Sequence, residues 1–192
     1  MKAIKSLLYA AISYGAVYCT IWFHELGHAM VYWFYGCKSN LFDLHVPFHF
    51  GGSNPYPIIE ACADQMSKAA TIWSSLNGMV FNVLMIFAGT YLLKKTLGPL
   101  LSWFIIVLVC TNYLEIISYL TLCNVIPMGD IAYIHAYLPA LQVVLFLLGI
   151  LALIYFLKFI RVSPQGFKKA ASIFSLATFS VMILLRLVFL IF

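Results

Sequence analysis

LLYAAISYGAVYCTIWFHELGHAMVYWFY, Leu7 to Tyr35, carries one carboxylate, Glu25, and no lysine or arginine. About 20 apolar residues cross a bilayer as a helix, so this stretch reads as a membrane span, longer than needed and therefore tilted or protruding. Inside it lies His24-Glu25-Leu26-Gly27-His28. On a helix, imidazoles four positions apart face the same way. Glu25 sits about 100° round the axis from His24, within reach of a water on a metal held by the pair. Ionisable groups at membrane depth are costly, and they mark functional sites by default. The plainer alternative is three polar residues satisfied inside a helix bundle.

Composition supports a membrane reading of the whole chain. Of 192 residues, 64% are hydrophobic and 9% charged, against about 25% charged in soluble domains. The net charge of +5 is therefore no nucleic-acid signal; the placement of lysines and arginines reports orientation instead. Cys19, Cys37, Cys62, Cys110 and Cys123 form no C-x-x-C pair and are odd in number, which reads as apolar packing and leaves the redox compartment open. Lys2 to Cys19 imitates a signal peptide, but cleavage there would sever the helix that carries the histidines, so none is expected.

Working outward, the expectation is a single all-α polytopic membrane domain over residues 1–192. It has about five transmembrane helices, at 6–36, 68–93, 100–122, 133–157 and 170–191, with a small β element after the first. Gly36 suits a C-cap. In the loop 37–67, Phe42, Leu44, Val46, Phe48 and Phe50 alternate with Asp43, His45, Pro47 and His49. Period two argues for a strand, and Pro47 demotes it to an edge. Ile58 to Met66 reads as a surface helix. Lysines and arginines gather at the N-terminus, at 94–95 and at 158–169, which five spans place on one side. The excess of basic residues there puts the N-terminus in the cytosol.

A zinc hydrolase needs three protein ligands and an open position. The acidic candidates are Asp43, Glu60, Asp64, Glu115 and Asp130; the remaining histidines are His45, His49 and His135. Asp130 is preferred because Asn124-x-x-Pro127 and Gly129 loosen the backbone where the third span meets the fourth. Its plainer reading is a helix cap. Glu115, in the third span, is the rival, as in a His-His-Glu membrane protease.

His24-Glu25-x-x-His28, followed by Asn124-x-x-Pro127-x-x-Asp130 and accompanied by Gly78-x-x-x-Asn82, resembles the site-2 protease family of intramembrane metalloproteases (M50-type) over roughly residues 15–135. Two differences stand out: this sequence has two fewer residues between the proline and the aspartate, and Ile131 follows Asp130 where the family has glycine. The resemblance implies Zn²⁺ on His24, His28 and Asp130, Glu25 as catalytic base, and Asn82 and Asn124 as substrate or oxyanion contacts. It implies a transmembrane protein substrate within the lipid bilayer and no nucleic-acid partner; the oligomeric state is left open. It also implies a zinc facing the cytosol, which disagrees with the charge count. A helical substrate must be unwound before cleavage, and the 42–50 strand is expected to receive it by strand addition. A metal-binding scaffold without turnover is the non-enzymatic alternative.

Overall fold

The computed structural model describes residues 2–126 and 128–162, together with positions 170, 173, 176, 177 and 180. Pro127 and, those five positions aside, the expected fifth span at 170–191 lie outside the described residues. Seven helices follow in order among them: α1 (Lys2–Phe34), α2 (Glu60–Ala63), α3 (Lys68–Leu92), α4 (Pro99–Leu120), α5 (Leu122–Val125), α6 (Asp130–Tyr137) and α7 (Gln142–Val162). Four stretches are long and apolar enough to cross a membrane: Ile4–Phe34, Lys68–Leu92, Pro99–Val125 and Pro139–Arg161.

Local chemistry sets the ends of these helices. α1 closes in a Schellman turn, with Gly36 at φ +75°; the Cys37 amide reaches the Tyr32 carbonyl at 2.8 Å and Gly36 reaches Trp33 at 3.0 Å. Ser67 caps α3 by accepting from the Ala70 amide, and Pro99 opens α4 where its missing N–H is not needed. Pro139 is responsible for a difference from expectation. It cannot stand inside a helix, so the predicted span at 133–157 divides. α6 ends at Tyr137, a 3₁₀ turn covers Pro139–Leu141, and α7 carries the crossing onward to Arg161.

α1, α3 and α4 pack mutually, and α7 lies against α4. α4 is the most enclosed, with both faces in the apolar core: Ile105, Val109 and Ile116 on one side, Ile106, Val107 and Leu114 on the other. Polar pairs tie α1 to α4 below the histidines. The Trp103 indole donates to Ser13 Oγ at 2.7 Å, Thr20 meets Thr111 at 2.7 Å, and the Asn112 amide donates to Thr20 at 3.0 Å. Gly27 and Gly78 allow α1 and α3 to touch backbone to backbone, since a Cβ on Gly27 would stand 2.5 Å from the Asn77 carbonyl oxygen. The Asn77 amide bridges the same crossing to the Gly27 carbonyl at 2.6 Å. Small residues at such crossings are how helices pack closely where lipid removes the hydrophobic drive.

The expected β element at 42–50 is not formed: the described residues contain no strand, only an isolated antiparallel bridge between His45 and Asn54. The reasons are local. Pro47 has no N–H, and Phe50 turns back at φ +63° with its amide on the Pro47 carbonyl. The alternating side chains dock on a helix instead of a sheet. Val46 and Phe50 pack on Val17 and Ile21, and Phe42 stacks on Trp22. The carbonyls of Phe48 and Val46 accept from the Tyr14 and Tyr18 hydroxyls. The loop thus folds back along α1 by some twenty residues, about 30 Å of helix. Its base is held by Lys38, 3% exposed, whose ammonium donates to the carbonyls of Asp43, Pro55 and Pro57 at 2.6, 2.7 and 2.9 Å. Burial pushes that ammonium below its ordinary pKa, and the Asp43 carboxylate partly offsets the shift. A disulfide, Cys37–Cys62 with Cα atoms 5.3 Å apart, ties the same base to α2. The predicted packing role of these two cysteines is corrected accordingly; the sequence shows no spacing that pairs them.

Candidate metal centre

His24 and His28 project from α1 toward α3 and α6, both nearly enclosed. Their Nε2 atoms are 3.0 Å apart. Asp130 Oδ2 completes a triangle, 3.1 Å from His24 Nε2 and 3.2 Å from His28 Nε2. Three elements produce this convergence. The helical repeat of α1 aligns the imidazoles. Gly78 presents bare backbone to them: a Cβ there would stand 2.6 Å from His28 Nε2 and 2.8 Å from His24 Nε2. α6 delivers Asp130 as its first residue, anchored by Ile131 and Ile134, both fully buried. Gly129 precedes it at φ 58°, ψ −142°, a conformation that only glycine adopts without strain.

The surroundings fix how the imidazoles present their nitrogens. His28 Nδ1 lies 2.6 Å from the Ser74 carbonyl. A carbonyl only accepts, so Nδ1 carries the hydrogen and the Nε2 of the neutral ring presents a lone pair. The Tyr119 ring stacks on His24 at 5.3 Å and 9°. Burial pushes the Asp130 carboxyl up, but the facing imidazoles outweigh it and hold the group well below the usual carboxylate range. Nε2 of both rings and Oδ2 of Asp130 thus face one another at 3.0–3.2 Å, the arrangement of donor atoms that a shared cation would require. Around a tetrahedral zinc with nitrogen and oxygen ligands at about 2.0–2.1 Å, neighbouring donors stand about 3.3 Å apart, and the measured triangle is close to that size. The donor set fits zinc, and two imidazoles with one carboxylate also admit other divalent transition metals.

A cavity of about 650 Å³ reaches the triangle. It is lined by buried Glu25 and His28, by Asp130, by Tyr32, Tyr119 and Tyr133, and by exposed or half-buried residues between Ser53 and Met66. Glu25 thus lines the same cavity as His28 and Asp130. Among the described residues, the ligand atoms that converge as a possible metal site are those of His24, His28 and Asp130. Glu115 is buried on α4 and does not line the cavity.

Neither asparagine expected to contact substrate lines the cavity. Asn82 is fully buried one turn beyond Gly78, with no partner for either amide atom among the described residues. The Asn124 amide donates to the Gln142 carbonyl at 2.7 Å while its oxygen faces His135 Nε2, and Gln142 returns a bond to the Asn124 carbonyl at 3.0 Å. That side chain joins α5 to the start of α7. His45 and His49 are exposed on the loop, away from the triangle. Sequence reasoning missed the Ser74 carbonyl and the Tyr119 ring, neither of which carries a motif; the spacing Ser74-x-x-x-Gly78, small residues on one helical face, was the available signal. No family model matches this chain, and no curated protein or solved structure matches it.

Proposed function

We propose that the chain is a membrane-embedded zinc endopeptidase that cleaves transmembrane or membrane-adjacent segments of other proteins. The observation that carries this reading is the His24–His28–Asp130 triangle with Glu25 lining the same cavity. Zinc bound there supplies a Lewis acid, lowering the pKa of a water to about 7 and polarising a peptide carbonyl. The rest is the work of this chain's own groups. The Ser74 carbonyl holds His28 in the tautomer that offers Nε2. A Glu25 carboxylate oxygen takes the proton of the attacking water and returns it to the leaving amine nitrogen. The described residues hold no strand at 42–50, so the expected strand addition has no preformed edge there.

The test is Glu25→Gln. Purified wild type and variant are compared for bound zinc by elemental analysis and for cleavage of reconstituted single-span peptides by mass spectrometry. The variant is expected to keep its zinc and to lose about 10²- to 10⁴-fold in rate. Undiminished cleavage by Glu25→Gln refutes the mechanism, and zinc without any wild-type cleavage favours the scaffold.

A further inference from the structure

The two ends of the helix bundle differ in charge and in cysteine chemistry. Connectivity places the start of α1, the end of α3, the start of α4 and the end of α7 at one end. Packing agrees: Tyr9 meets Trp103 edge-on, and Tyr9, Leu93, Phe159 and Ile160 pack against the cluster that holds Trp103 and Phe156. That end carries Lys2, Lys5, Lys94, Lys95, Lys158 and Arg161, and no acid among the described residues. The opposite end carries Asp43, Glu60, Asp64 and Asp130 against Lys38 and Lys68. Lys38 is occupied by three backbone carbonyls, and Lys68 lies over the Tyr137 ring at 5.7 Å. By the positive-inside rule, the basic end is cytosolic.

The second observation is independent of charge. The Cys37–Cys62 disulfide lies at the acidic end, tying the residues just after α1 to α2. Disulfides form and persist in oxidising compartments and are rare in the cytosol. The cavity that reaches the His24–His28–Asp130 triangle is lined by the same tethered loop, whose residues between Ser53 and Met66 are exposed or half-buried where Glu25 and His28 are buried. His28 is six residues before the end of α1, about 9 Å along the axis.

We propose that the metal-bearing cavity opens to the non-cytosolic, disulfide-forming side of the membrane. This faces opposite to the side that resemblance to the site-2 proteases implies. Resting on the endopeptidase reading, it gives the substrate class: segments whose scissile bond lies in the non-cytosolic half of a membrane span or just outside it. Metal, water and substrate all reach Glu25 from that side.

Orientation is tested without reference to catalysis. Gln65→Cys and Thr96→Cys, both at exposed positions, are each placed in a chain whose Cys19, Cys110 and Cys123 are replaced by alanine. Intact cells are treated with a membrane-impermeant maleimide, and permeabilised cells give the total. The expected result is full labelling of Gln65→Cys before permeabilisation and of Thr96→Cys only after it. The reverse order, equal labelling of the two, or Gln65→Cys protected until permeabilisation overturns the proposal. Thiol trapping of the otherwise unaltered chain is expected to leave Cys37 and Cys62 blocked until a dithiol reductant is added; both free in untreated cells also overturns it. In sealed proteoliposomes of orientation determined by the same labelling, paired single-span peptides carry an extended segment at one membrane end or the other. Cleavage at the loop-side end supports the substrate class, and cleavage at the lysine-rich end refutes it. If neither peptide is cut, the endopeptidase reading fails, while the labelling still decides which way the cavity faces.

Discussion

Gly78→Ala is the substitution that most directly tests how the proposed metal centre is built. On helix propensity alone, alanine is favoured over glycine inside a helix by about 0.8–1.0 kcal/mol. The surroundings of Gly78 reverse the sign. The added methyl carbon would lie 2.6 Å from His28 Nε2 and 2.8 Å from both Nε2 and Cε1 of His24. Ordinary contact begins near 3.4 Å, so about 0.6–0.8 Å must be found. The helices do not yield it readily. Asn77 and Gly27 are already at backbone contact and share a 2.6 Å hydrogen bond, so separating α1 from α3 breaks that bond. The imidazoles move instead, and metal–ligand distances tolerate only about 0.2 Å. Displacing an outer-shell partner of a ligand costs up to about 100-fold in metal affinity, and displacing the ligands themselves costs at least that, about 2.8 kcal/mol. Competition with a chromophoric chelator measures the affinity in detergent. Gly15→Ala is the control: it is on the same bundle with nothing within 4 Å of the added Cβ, so it retains zinc and melts no lower than wild type. A Gly78→Ala protein that binds zinc with wild-type affinity refutes the close-approach argument.

Three further outcomes follow from the same geometry, besides the Glu25→Gln result above. Protons compete with the metal for both imidazoles, so zinc affinity falls as pH is lowered; chelator competition at two pH values checks this, and a flat profile contradicts the ligand set. Ile134→Ala removes a fully buried anchor of α6; it is expected to destabilise the fold by about 2–5 kcal/mol and to weaken zinc binding through Asp130, whereas unchanged affinity shows that α6 does not position the carboxylate. Lys38→Met leaves three carbonyls without their charged donor; at about 1.5–3 kcal/mol for such a bond, the loop should become sensitive to limited proteolysis between residues 38 and 57, and unaltered resistance counts against Lys38 as its clasp.

How legible the molecule was depended on whether a feature rests on local periodicity or on tertiary contact. His24, Glu25 and His28 could be read because one helical repeat fixes their relation whatever surrounds them. Asp130 could be chosen because a chain with six acidic residues leaves few alternatives beside a helix break. The four stretches long and apolar enough to cross a membrane follow from hydropathy over whole helices, and the largest shift in their ends is where Pro139 divides one. The strand at 42–50 was misread because period two records a segment with one face covered, and α1 covers that face as well as a sheet would. Cys37 and Cys62, 25 residues apart, become partners only when the loop folds back. The Ser74 carbonyl is main chain and leaves no trace in side-chain identity. Asn124 suits a chain break equally as a backbone staple or as a substrate contact, and only the position of Gln142 distinguishes them.

Packing and chemistry at this centre depend on the same residues. Between apolar helices in lipid, there is little hydrophobic gain in association, and close contact comes from small side chains and hydrogen bonds. Gly27 and Gly78 supply the first and Asn77 the second. With α3 held that close, the Ser74 carbonyl, one turn before Gly78, comes within 2.6 Å of His28 Nδ1 and sets its tautomer. A larger residue at either glycine would lengthen that contact and rotate the ring away from Asp130. The histidines therefore owe their geometry to a helix crossing, and the third ligand owes its geometry to a separate short helix seated by two isoleucines. A substitution at the crossing should alter both histidine ligands together, whereas one in α6 should alter Asp130 alone. That contrast separates a built centre from a chance meeting of three polar side chains.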